Sequence, residues 1–240
     1  MNILVTGVSK GVGFELLKKL LSEGHNCYGI SRTKTPELEL LEKNYTDNLN
    51  WKAYDLIDTD SIRDEIYKNW IGFNVPIHGY VNNAALAYDD IITNLNLGDL
   101  EKMYRVNVFT PMVITKYFIR QKLLHNISAS IVHLSSISAH TGYKGLAMYA
   151  STKGALEAFS KNTAREWGGK SVRSNCLVAG FMETDMSSGL SEDQKKRIYK
   201  RTSLKKATSI ESVCSNIQFL LSDKSSSITG QNIFVDSGTI

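Results

Sequence analysis

Ile3-Leu4-Val5-Thr6-Gly7-Val8-Ser9-Lys10-Gly11-Val12-Gly13 joins a short apolar run to three closely spaced glycines. The run reads as a buried strand and the glycines as the turn that leaves it. Leu16, Leu17, Leu20 and Leu21 repeat at helical spacing, which predicts a helix from about Gly13 to a stop at Gly24. The glycine spacing is G-x3-G-x-G rather than G-x-G-x-x-G, but the physics is shared. Missing side chains permit a tight turn and let a pyrophosphate approach a helix N-terminus, where amides and dipole favour an anion. Gly7, Ser9, Lys10, Gly11, Val12 and Gly13 are therefore candidate dinucleotide contacts. The same residues also satisfy G-x-S-x-G, the nucleophile elbow that would make Ser9 a hydrolase nucleophile. That elbow belongs after a mid-sheet strand and leaves the third glycine unexplained, so the phosphate loop is the better reading.

Outward from this loop, apolar runs alternate with helical periodicity. Strands are expected over residues 26–31, 51–54, 79–81, 130–134, 172–178 and 233–235. Helices are expected over 61–70, 149–167 and 210–221, with a long amphipathic stretch over 100–124. Alternation of this kind implies parallel strands and right-handed crossovers: an α/β fold with a single doubly wound parallel sheet and helices on both faces. No linker, repeat or low-complexity stretch divides residues 1–240, which read as one domain.

Composition narrows the function. A net charge of +4 comes from scattered basic residues, which gives no nucleic-acid stripe. No apolar run reaches membrane-spanning length and the start lacks a signal-peptide pattern, so a cytoplasmic protein is expected. The three cysteines form no disulfide framework, and the five histidines show no metal-ligand spacing. No metal is expected, and His133 within its apolar run reads as a packed strand residue.

The ordered motifs together resemble the short-chain dehydrogenase/reductase family, most closely its 3-oxoacyl-(acyl-carrier-protein) reductases. Thr6 to Gly13 resembles the family's T-G-x3-G-x-G. Asn82-Asn83-Ala84-Ala85 resembles N-N-A-G, with Ala85 replacing glycine. Asn107 stands where the family keeps an active-site asparagine. Ser136 and Tyr149-Ala150-Ser151-Thr152-Lys153 match its serine and Y-x3-K. Gly180-Phe181-Met182-Glu183-Thr184-Asp185-Met186 is similar to the segment that covers the nicotinamide, and Ile228-Thr229-Gly230-Gln231 and Val235-Asp236-Ser237-Gly238 resemble the C-terminal motifs. Ala179 and Ser203 stand where prolines are usual, which predicts a looser lid.

The resemblance implies a catalytic set of Asn107, Ser136, Tyr149 and Lys153. It implies cofactor contacts from Ser31, Arg32, Asp55, Leu56, Asn83, Ala84, Tyr149, Lys153, Gly180, Met182 and Thr184 besides the phosphate loop. Four residues apart on a helix, Tyr149 and Lys153 share a face. The ammonium is expected to lower the tyrosine pKa, and Ser136 to donate a hydrogen bond to the carbonyl oxygen. By resemblance, Lys153 also holds the nicotinamide ribose and Asn107 supports a proton-supplying water. The second strand ends Ser31-Arg32-Thr33 without a carboxylate, which points to NADP(H) over NAD, with Lys10 helping to bind the 2′-phosphate. Asp55 is either an adenine contact or a loop cap.

The expected activity is NADPH-dependent reduction of a ketone, such as a 3-oxoacyl thioester. The alternatives are a sugar or other small carbonyl and, more distantly, a non-catalytic dinucleotide sensor. Residues 137–147 and 186–205 should line the substrate pocket. The family likeness suggests a homotetramer or homodimer and leaves an acyl carrier protein open as a partner. Two arginines dock the carrier in the resembling reductases. Here Ile127 and Lys170 fall at those places, with Lys122 or His125 as substitutes, so weak carrier dependence is expected.

Overall fold

The computed structural model describes residues 1–184 and 189–240. Seven strands make one sheet, parallel throughout, in the order β3-β2-β1-β4-β5-β6-β7. They are β1 (Asn2–Thr6), β2 (Asn26–Ser31), β3 (Leu49–Ala53), β4 (Gly79–Asn82), β5 (Ala129–Ser136), β6 (Val172–Ala179) and β7 (Asn232–Val235).

Period-two patterning explains the two-sided burial. Ile3 and Val5 face one apolar cluster, with Leu16, Leu20, Val213 and Ile217, whereas Leu4 faces the other, with Ile66, Ile114 and Phe118. The first cluster is covered by α1 (Gly11–Ser22), α2 (Pro36–Asn44) and α7 (Ile210–Leu221). The second is covered by α3 (Ile62–Ile71), which is wound wider than an α-helix, and by α4. Helix α4 runs from Leu97–Tyr104 through a widened stretch, Arg105–Phe109, into Thr110–His125. Helix α5 (Ala147–Trp167) packs beside it, while α6 (Glu192–Arg201) has no buried residue.

Helix α1 stops as its sequence predicts. Gly24, at φ 77°, donates its amide to Leu21 O, and His25 donates to Leu20 O. Helices α2 and α6 were not expected, because neither carries a long apolar stripe. Their caps were nonetheless written in the sequence. Thr35 accepts from Leu38 N ahead of Pro36, and Ser191 with Gln194 forms a reciprocal capping box.

Strand order reverses between β1 and β4, and the crevice at such a switch point is where open α/β sheets bind ligands. A cleft of about 950 Å3 opens there.

Candidate active site

The cleft collects residues far apart in sequence: Gly7, Ser9, Lys10, Gly11 and Val12 from the first loop, Ser31 and Arg32 from the end of β2, and Ser136, Tyr149 and Lys153. Asp55, Leu56, Asn83, Ala84, Gly180, Met182 and Thr184 line it as well. Residues 185–188, which include the end of the expected lid motif, lie outside the described residues.

The glycines divide their work differently from the sequence reading. A Cβ on Gly13 would stand 2.1 Å from Gly7 O, and one on Gly7 would stand 2.8 Å from Asn83 Nδ2. These two let the loop fold onto itself and onto β4. Gly11, at φ 60°, has open space around its Cβ position up to Thr184 Cγ2 at 4.0 Å, so it is the glycine that leaves room in the cleft. No acidic residue stands in the first turn of α1, which suits an anion there.

Asn83 contributes mainly by holding the loop. Its Nδ2 donates to Thr6 O and Gly7 O, both at 3.0 Å, while its own amide and that of Ala84 donate to Thr6 Oγ1. Asp55 caps its own turn, accepting from Ile57 N at 3.1 Å, and is also at the cleft wall. Ser31 is occupied, donating to Thr33 O and accepting from Trp51 Nε1. Arg32 is exposed and lines the cleft, without an ion pair among the described residues.

Ser136 ends β5, where its Oγ accepts from Ser138 N at 3.2 Å and keeps its own hydrogen to donate. Lys153 is buried, and its Nζ donates to Leu134 O at 2.8 Å and lies 5.5 Å from the Tyr149 ring centre. Burial lowers its pKa to about 8, with Cys176 and Glu157 opposing the shift.

Tyr149 corrects an expectation. Its pKa is raised, first by burial and then by Asp89, and Lys153 does not pull it down. The lysine hydrogen-bonds a backbone carbonyl and lies against the ring rather than on the phenol oxygen. The phenol is therefore in its protonated form at neutral pH, the form that carries a proton to give. Asp89, the first of two adjacent aspartates after the Asn-Asn loop, also lines the cleft, and no motif in the sequence marks it.

Asn107 sits in the widened part of α4, a geometry frequent at functional sites. Its side chain is fully engaged, accepting from Leu86 N and donating to Leu86 O and Thr152 Oγ1. It ties the β4 loop to the Tyr–Lys helix. The two positions where prolines are usual are both hydrogen-bonded into the fold. Ala179 is a paired residue of β6, and Ser203 donates twice to Gly238 O, at 2.9 Å from its amide and 3.1 Å from its hydroxyl. Gly180 is required by packing, since a Cβ there would meet Thr208 Oγ1 at 2.4 Å.

No histidine lines the cleft among the described residues, which leaves Ser9 without the base an elbow nucleophile needs. The described residues hold no cluster of metal-ligating side chains, and no described helix is long and apolar enough to cross a membrane.

A family model for enoyl-(acyl carrier protein) reductase matches residues 7–239. The chain is 30% identical to an L-xylulose reductase of Caenorhabditis elegans over 99% of its own length and 94% of the relative's. It is 31% identical to a 3-oxoacyl-[acyl-carrier-protein] reductase of Aquifex aeolicus over 98% of its length and 95% of the relative's. Among solved structures, ElxO with NADP bound superposes with a TM-score of 0.89 at 25% identity, covering 99% of this chain and 98% of that one.

Proposed function

This chain belongs to the short-chain dehydrogenase/reductase family of oxidoreductases, and from that premise we propose that it reduces a ketone, a 3-oxoacyl thioester or a related small carbonyl, with NADPH. The observation that carries the proposal is the convergence of Ser136, Tyr149 and Lys153 on the cleft that the glycine loop also lines.

The residues present fit a dinucleotide. Gly11 leaves open space beside the start of α1, and Arg32 stands exposed on the cleft wall beyond Ser31. The loop and α1 would hold the pyrophosphate, Arg32 and Lys10 a 2′-phosphate, and Lys153 the nicotinamide ribose. Bound NADPH supplies a hydride to the carbonyl carbon. Ser136 Oγ donates a hydrogen bond to the carbonyl oxygen as negative charge develops on it. Tyr149 Oη, protonated in this site, releases its proton to that oxygen, with Lys153 Nζ 5.5 Å from the ring centre beside it. Asn107 holds the loop at Leu86 against α5 while this happens.

Carrier docking has little support in this surface. Lys122 is buried and donates to Lys170 O, while His125 Nε2 contacts Phe73 O at 2.9 Å, so neither substitutes for the absent arginine. A small carbonyl free of any carrier, a sugar included, fits these observations better. The protein would work as a single domain over residues 1–240, assembled as a homotetramer or homodimer. NADPH consumption measured against a panel of ketones, sugars and 3-oxoacyl thioesters tests the reading. Turnover of at least one ketone is expected, and NADPH binding without turnover of any would leave a dinucleotide sensor.

A further inference from the structure

Glu157 lies on α5 one turn beyond Lys153 and is only 8% exposed. Its carboxylate is held from three elements. Oε1 accepts from Ser135 Oγ and from His140 Nε2 at 3.0 Å; Oε2 accepts from Asn232 Nδ2 at 2.7 Å and lies 2.9 Å from the same histidine nitrogen. A carboxylate only accepts, so His140 carries its hydrogen on Nε2. Ser135 directly precedes Ser136, and His140 ends the short turn Ile137–Ala139 that follows it. The carboxylate therefore grips both flanks of the active-site serine from the helix that carries Tyr149 and Lys153. Packing alone does not ask for it: Leu156 beside it fills the core, and burying a charge is costly unless its partners are fixed.

We propose that Glu157 is a positioning residue, setting where Ser136 stands relative to Tyr149 and Lys153, with His140 completing the clamp. The assignment rests on the reductase reading above. Glu157 also acts on the lysine. Lys153 is faced by Tyr149 and Glu157 on its own helix, by His133 on β5 and by Cys176 on β6, and Glu157 is the carboxylate among them that supports its positive charge against burial.

The test uses the full chain, NADPH and a ketone that the wild type reduces. Glu157→Gln keeps the shape but loses the charge and one acceptor. Its kcat should fall about tenfold or more, the order expected when a reacting group is misplaced by a fraction of an ångström. NADPH affinity should stay within about twofold, and any fall in kcat that accompanies the discharge of Lys153 should begin at a lower pH than in the wild type. His140→Ala should lower kcat, and His140→Gln, which can still donate to the carboxylate, should restore most of it. Should Glu157→Gln fail to fold, the two His140 variants decide. An active wild type beside folded variants with unchanged kcat and pH profile overturns this assignment alone. A wild type that binds NADPH but reduces no ketone overturns the reductase reading and this assignment together.

Discussion

Tyr149 and Lys153 illustrate how burial divides charge between neighbours at the scale of single residues. Desolvation holds the phenol protonated and makes the ammonium easier to discharge. Tyr149→Phe removes the proton donor and little else, so kcat should fall by about 10²–10⁴, the usual worth of a general acid, with NADPH binding retained. Steady-state kinetics beside cofactor titration checks both halves. The lysine makes a stability prediction with a definite sign. Below pH 8 both folded and unfolded chains carry its charge, and the burial cost is fully present. Between about 8 and 10.5 the folded chain has released a proton that the unfolded chain still binds, so this group's contribution to stability improves as pH rises. Lys153→Met should therefore gain most in melting temperature, relative to wild type, below pH 8, and the gain should shrink towards pH 10.

At the scale of elements, the site depends on how loops are tied to strand ends. The segment after α6 is joined to the C-terminal turn by two hydrogen bonds from Ser203 to Gly238 O. A proline at this position, common in similar sequences, has no amide hydrogen to donate. Ser203→Pro should accordingly destabilise the protein by about 1 kcal/mol, the net worth of an ordinary hydrogen bond. Chemical denaturation would measure it, and a stabilised variant would mean that the proline's rigidity outweighs the lost bonds. The widened turn in α4 has a comparable role, since Asn107 there links Leu86 on one side to Thr152 on the other.

At the scale of the whole molecule, surface charge bears on which cofactor and which substrate form the protein should accept. Arg32 is exposed at the cleft wall and no carboxylate ends β2. NADPH should outcompete NADH in kcat/KM, and Arg32→Asp should narrow or invert the ratio; equal use of both by the wild type would refute this. Where a carrier protein would dock, Lys170 is exposed but Lys122 is buried. A small 3-oxoacyl thioester, or another ketone, should be reduced about as well as its carrier-linked counterpart, with little dependence on salt. A strong, salt-sensitive preference for the carrier form that Lys170→Glu abolishes would restore a carrier-dependent role.

The sequence by itself determined the parallel sheet, because alternating strand and helix periods leave few other ways to bury both faces. It also marked cleft-lining residues such as Gly7, Gly11, Ser136, Tyr149 and Lys153, because these stand at a strand end or on a helix within a recognisable motif, whereas Asp89 stands in none. Helices α2 and α6 escaped notice because their signal lay in caps rather than in apolar stripes. Only the tertiary structure decided what those residues experience. Burial and the placement of Asp89 raise the Tyr149 pKa against the expected direction, and local spacing to Lys153 says nothing of either. Contacts across the fold likewise turn Asn83 and Asn107 into clamps and bring Glu157, Ser135, His140 and Asn232 together. Desolvation and hydrogen bonding between distant segments depend on which surfaces the folded chain brings into contact, and a linear pattern does not contain that information.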